Sequence, residues 1–183
     1  MLKCAFRHMC MLQVHLNSAR RFGMSAPKHW PKGLNAPGDD RSDEPNTTWR
    51  GGGLPKKHIA FYQALRKSGG HFRVPAPLPT SFERSTALGF KDRAVSKGHA
   101  GVVWGVRLKD PAKDASEGGG GCLQVNYLEK SLVASEREFL FSAYSAFRVL
   151  EVDTSNSAFV KITIEAARDN KDVSEDVPSA PWI

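Results

Sequence analysis

The sequence predicts an α+β fold, with one or two early helices ahead of a series of short strands. Two observations carry this. Residues 101–108, 122–127, 138–141, 147–152 and 159–165 are β-rich runs separated by turn residues. Ahead of them, residues 54–65 place Leu54, Ile59 (or His58), Tyr62 and Leu65 at helical spacing. Strands gathered after helices, not alternating with them, imply a core made of a curved sheet pair.

The elements follow in order. Residues 1–46 read as a basic, largely unstructured segment, because 23–47 are dense in Gly, Pro, Asp and Asn and show no period. The ordered domain is expected over 47–165. Residues 47–50 form a short strand, stopped by Gly51, Gly52 and Gly53, and Pro55 suits the first turn of the helix that follows. Ser68, Gly69 and Gly70 end that helix. Across 72–82, Pro75, Pro77 and Pro79 cannot donate to a ladder, so an edge or extended segment is expected there. Residues 83–95 suit a second short helix. Residues 109–121 are a Gly/Lys/Asp-rich loop, and the polar, proline-ended residues 166–183 read as a frayed tail.

At 183 residues and 40% hydrophobic, the chain has room for one ordinary core plus tails. Its net charge of +7 raises the question of a nucleic-acid partner. Lys3, Arg7, Arg20, Arg21, Lys28 and Lys32 supply +6 of that in an acid-free stretch over residues 1–38, leaving +1 for the remainder. A nearly neutral body argues against nucleic acid. Cys4, Cys10 and Cys122 are an odd, widely spaced set that suggests neither disulfides nor zinc, so a reducing, cytoplasmic setting is the simpler expectation. The arginine-containing, acid-free start also fits an organellar presequence in composition. No stretch approaches the ~18 apolar residues of a membrane span.

The run 134–141, ASEREFLF, sets Glu136 and Glu138 two apart where an apolar strand begins. In a strand, residues i and i+2 share a face, so the two carboxylates sit together while Arg137 points away. Like charges on one face are unfavourable, and either bulk water or a chemical use must make them tolerable. A solvated strand start is the plain reading of the triplet in isolation.

Three separated segments place it in a context. TTWRGG (47–52) resembles the arginine strand of the mono-ADP-ribosyltransferases. LPTSFERSTALGF (78–90) resembles their Ser-Thr-Ser segment, followed six residues later by Ala-Leu and an aromatic. Residues 122–149, with SEREFLFSAYSAFRV at their end, resemble the Glu-x-Glu loop and strand. The resemblance runs from about residue 48 to 152 and is to the arginine-specific type. It implies a split β-sandwich with few helices, NAD as substrate, no metal, and an acceptor protein with an exposed arginine. By the same resemblance, Glu138 matches the catalytic glutamate, Glu136 the glutamate associated with arginine acceptors, and Arg50, beside Gly51, the anchor of the dinucleotide.

The middle segment departs from the pattern. If Ser81 aligns with the third residue of Ser-Thr-Ser, the first serine, which usually orients the catalytic glutamate, is replaced by Pro79, which has no hydroxyl. Thr80 or Ser81 can substitute with a one-residue shift. Transfer to water, as in an NAD glycohydrolase, and a catalytically silent module are the other outcomes compatible with such a fold. Trp49, Tyr62 and Phe82 either stack on nicotinamide or fill the core, and core is favoured. The glycines before the first helix lack the following Lys-Ser/Thr of a P-loop, and the six histidines have no ligand spacing.

Overall fold

The computed structural model describes residues 47–108, 122, 125–127 and 138–181. Residues 1–46, the loop 109–121 and Glu136 lie outside them. In order, the elements are β1 (Thr47–Leu54), α1 (Lys56–Ser68), β2 (His71–Val74), β3 (Leu78–Ser81), α2 (Arg84–Val95), β4 (Ala100–Arg107), β5 (Val125–Tyr127), β6 (Glu138–Phe141), β7 (Ser145–Asp153) and β8 (Val160–Ala166). These strands form one mixed sheet of order β2-β7-β8-β4-β1-β3-β6-β5. Among the described strands, only β4 and β8 pair in parallel, and the α+β expectation with few helices is met.

The sheet divides at β1. Along one edge β1 pairs with β4 over its whole length, from Thr47↔Arg107 to Leu54↔Ala100. On its other edge, among the described residues, β3 meets it at Trp49↔Ser81 and then leaves. The expected sheet pair is therefore two parts of one curled sheet joined at a single register point. Phe72, Phe147, Ile162 and Val106 on one side and Leu78, Phe82, Phe139 and Phe141 on the other close over a common apolar core. Burying each such side chain is worth about 1.5–3 kcal/mol, which holds the two parts together where hydrogen bonds do not.

Strand alternation gives β1 two different faces. Arg50, Gly52 and Leu54 look inward, Arg50 directly opposite Trp104. Trp49, Gly51 and Gly53 look outward, where α2 lies on them, and Trp49 packs with Ala87 and Val103. The glycines do not stop β1, as the sequence suggests, but continue it. They remain in the β4 ladder; the missing side chains of Gly51 and Gly53 leave the space that α2 occupies, and Gly52 faces the Trp104 ring.

The proline segment splits into two strands. β2 is an edge, as expected. β3 is not, since it sits between β1 and β6. Pro79 pairs with Leu140 on β6, and its carbonyl faces the gap toward β1, accepting a bond from Arg50 Nη1 at 3.0 Å. The amide and carbonyl of one strand residue point the same way, so the donor that proline lacks faces an edge where no ladder continues.

α1 follows Pro55, buries Tyr62 and Leu65, and ends at Gly69, whose φ of 69° and N–H bond to the Leu65 carbonyl make a left-handed cap. Tyr62, Phe61 and Phe72 meet edge to face at 5.2–5.9 Å.

The C-terminal residues correct the sequence reading most clearly. They do not fray. Arg73, 2% exposed, donates from its two Nη atoms to the carbonyls of Tyr144, Asn170, Val173 and Ser174 and to Asn170 Oδ1. Its backbone exchanges bonds with Pro178 and Ala180 at 2.9 and 2.7 Å. A buried guanidinium fork thus holds residues 170–180 against β2, and it also fixes Tyr144, a non-glycine residue at φ 61°. Composition suggests a polar tail because the partner supplying these bonds is about 100 residues away. Arg73→Met leaves several buried carbonyls without a donor. It is expected to lower the unfolding free energy by more than about 3 kcal/mol and to open residues 170–181 to protease, checked by urea denaturation and limited proteolysis.

Candidate active site

Across β1, β3 and β6 the registers Trp49↔Ser81 and Ser81↔Glu138 put three residues in one row on the outward face. Directly opposed strand residues have Cβ atoms about 4.5–5.5 Å apart. The half-buried Glu138 therefore has the Ser81 hydroxyl as its cross-strand neighbour. Ser81 Oγ also accepts the Glu83 amide at 2.9 Å, which ties it to the start of α2. The gap between β1 and β3 opens into a cleft of about 330 Å³ bordered by Arg50, Gly51, Pro79, Thr80, Ser81 and Glu138.

The fold thus gathers Arg50, Gly51, Thr80, Ser81 and Glu138 from three strands that are far apart in sequence. Glu136 is outside the described residues. Two alternatives left open by the sequence are now distinguished in position. The residue opposite Glu138 is Ser81 and not Pro79, which opposes Leu140. Thr80 points to the other face, and its hydroxyl donates to the Phe139 carbonyl at 2.9 Å, so its main bond is to the sheet itself.

Arg50 comes from the inward face, and its guanidinium lies in the gap, fixed at the Pro79 carbonyl. Burial pushes its pKa down, partly offset by the Tyr62 hydroxyl. The guanidinium stays charged, since arginine starts so high, but it is poorly hydrated, and an anion brought beside it is bound more strongly than in open water. Burial pushes the Tyr62 hydroxyl up to about 12, against smaller pulls from Trp104 and Arg50. Trp49, Tyr62 and Phe82 are all core residues, at 4–6% exposure. Arg84 and Lys161 sit over the Trp49 ring at 5.0 and 5.7 Å.

One cleft residue was given no role by sequence reasoning. Phe90, 40% exposed on α2, borders the cleft, and the Arg93 guanidinium lies 4.5 Å from its ring centre. An aromatic ending the 78–90 segment is visible in the sequence, but only the seating of α2 on the glycines shows that it overhangs the cleft. Among the described residues, no group of three or more His, Cys, Asp or Glu side chains comes together as a metal site, and no helix is long and apolar enough to cross a membrane.

No family model matches this chain, and no curated protein does. Solved structures do. The ADP-ribosyltransferase Vis, in complex with its M6 inhibitor, superposes with a TM-score of 0.50 and 16% identity, covering 73% of this chain and 53% of that one; Vis is a toxin from Vibrio splendidus. HopU1 of Pseudomonas syringae pv. Tomato DC3000 gives 0.47 and 17%, covering 67% and 45%. The C3 exoenzyme of Clostridium limosum gives 0.45 and 14%, covering 67% and 59%. The chain spans about half the length of the first two. It has the ADP-ribosyltransferase fold.

Two predictions follow from the cleft's construction. A Cβ on Gly51 would overlap the Ala87 carbonyl oxygen and lie 2.9 Å from the Lys91 amide nitrogen. Gly51→Ala is expected to cost about 3 kcal/mol or more by forcing α2 off β1. Gly52→Ala, whose Cβ meets the edge of the Trp104 ring at 3.3 Å, is expected to cost less, with thermal unfolding as the measurement. For Tyr62, the unfolded chain releases the phenolic proton near pH 10 and the folded one near 12. Stability therefore falls as pH rises through that window, by about 2–3 kcal/mol. Denaturant titrations of Tyr62→Phe should lack this part of the alkaline loss.

Proposed function

We propose that this chain transfers the ADP-ribose of NAD to an arginine side chain of an acceptor protein, releasing nicotinamide. The observation that carries the reading is the register of β1, β3 and β6, which brings Arg50, Ser81 and Glu138 to one cleft. The fold it shares with Vis supports it, and so does a Vis structure in complex with agmatine, a small guanidine.

In this reading the bond between nicotinamide and the anomeric carbon of ribose breaks, and its electron pair leaves with nicotinamide. The ribose then carries oxocarbenium-like positive charge. Glu138, bound to a ribose hydroxyl, stabilises a charge that exists only near the transition state, which is where stabilisation raises rate. Ser81 keeps that carboxylate oriented from across the strand pair. Arg50 holds the pyrophosphate with a planar fork already fixed by Pro79, and Phe90 overhangs the nicotinamide end. Glu136, two residues before Glu138 in sequence, is the glutamate that the arginine-specific pattern associates with the acceptor. It holds the acceptor guanidinium and takes its proton as the new bond to the anomeric carbon forms.

Labelled NAD with agmatine tests the reading. Label on agmatine supports it, free ADP-ribose alone indicates hydrolysis, and neither product overturns both. Glu138→Gln is expected to reduce transfer and hydrolysis alike by about 10²–10³-fold. Glu136→Gln is expected to abolish transfer while hydrolysis survives, and equal loss of both in the two variants would count against the division of roles.

A further inference from the structure

β2 is an edge strand that pairs with β7 and with no other described strand. Its other side is taken by residues from far down the chain. The Arg73 amide donates to the Pro178 carbonyl at 2.9 Å, the Ala180 amide donates to the Arg73 carbonyl at 2.7 Å, and Arg73 forms a parallel bridge with Ser179. By strand alternation the Arg73 side chain lies on one face of β2, where it binds residues 170–174, and Phe72 and Val74 lie on the other. The segment 170–181 therefore wraps the edge from one face to the other. It comes round to Pro181, which borders a cavity of about 440 Å³ together with Phe72, Val74, Tyr62 and Trp104. That cavity shares Arg50, Gly51 and Phe90 with the cleft around Glu138 and is its inner part.

We propose that Ser179, Ala180 and Pro181 are a positioning element for NAD: they form one wall of the cleft, and their latch on Arg73 sets how tightly the dinucleotide is held. The inference rests on the reading that the cleft takes NAD, and it adds residues that lie outside the 48–152 stretch marked by the family pattern. Pro181 has a fixed φ and a ring with almost no rotamer freedom to lose, so a wall made of it is already in its bound form. The latch extends that order to the backbone. A wall held by hydrogen bonds to a buried residue does not have to be ordered when the ligand arrives. Arg73 acts through the segment and does not itself border the cavity. Covering an edge strand against chance pairing is the plainer use of such a segment. That use involves the bonds at Pro178 and Ala180 but not Pro181, and it predicts that loosening the segment lowers stability and leaves NAD affinity alone.

NAD binding to the full chain and its variants, measured by calorimetry, tests the wall without turnover. Ala180→Pro removes the amide that donates to the Arg73 carbonyl and leaves the guanidinium bonds to residues 170–174 in place. Pro181→Trp keeps both backbone bonds and puts bulk into the cavity. Glu175→Trp places the same bulk on an exposed residue of the segment that does not border the cavity. Ala180→Pro is expected to weaken NAD about three- to tenfold, and Pro181→Trp by about tenfold or more, with Glu175→Trp unchanged. In turnover the loss falls on the KM for NAD, with kcat held within about twofold, because Glu138 and Ser81 are untouched. Unchanged affinity in Ala180→Pro or Pro181→Trp, or an equal loss in Glu175→Trp, overturns the proposal while the transfer reading stands. Pro181→Trp and its control decide the outcome alone should Ala180→Pro fail to fold. An unsubstituted chain that binds no NAD overturns both readings.

Discussion

A strand has two edges, and β1 uses one of them completely and the other at a single residue. Its pairing with β4 over eight residues leaves no freedom to follow β3, which curves away after Trp49↔Ser81. Everything that gives the molecule a site depends on that divergence. A closed ladder would have filled the gap with backbone hydrogen bonds and left nowhere for a ligand. An unbridged one would have left the Pro79 carbonyl facing solvent. Arg50 takes the intermediate course, spanning the gap with a side chain that satisfies the carbonyl and still presents charge.

The glycines of β1 serve the same end from the other face. Because Gly51 and Gly53 have no side chains, α2 approaches the strand at backbone distance and brings Ala87 and Phe90 to the gap. One short sequence, TTWRGG, thereby does three things through alternation. Trp49 seats the helix from outside, Arg50 crosses inward to the gap, and Gly51 sets how close the helix can come. A strand's period of two is what separates these roles within consecutive residues.

Much of this was legible in the sequence. The period-2 and period-3.6 runs locate α1, β4, β7 and β8 within a residue or two, because local apolar patterning answers to a nearby core. Arg50, Gly51, Thr80, Ser81 and Glu138, which border the cleft, were also singled out, through their resemblance to a family pattern. Three things were not. The glycines looked like a strand end because their partner, the Ala87 backbone, lies 36 positions later in the chain. Pro79 looked like an edge residue because its missing donor is harmless only at a gap created elsewhere. Residues 166–181 looked like a tail because a polar segment acquires structure only when a donor such as Arg73 comes to its carbonyls.

By itself, then, the sequence singled out residue types suited to the proposed chemistry: a pair of carboxylates two apart, an arginine before glycines, and hydroxyls ahead of a helix. It also determined the elements that carry them, since helix and strand periods are local properties. Tertiary structure alone decided which hydroxyl faces Glu138. A shift of one residue between β3 and β6 would place Thr80 or Phe82 there instead. That register follows from packing Phe82 against Phe139, ring centres 4.2 Å apart, and from the inward burial of Leu78 and Phe141. Slipping it would turn each of these side chains to the wrong face.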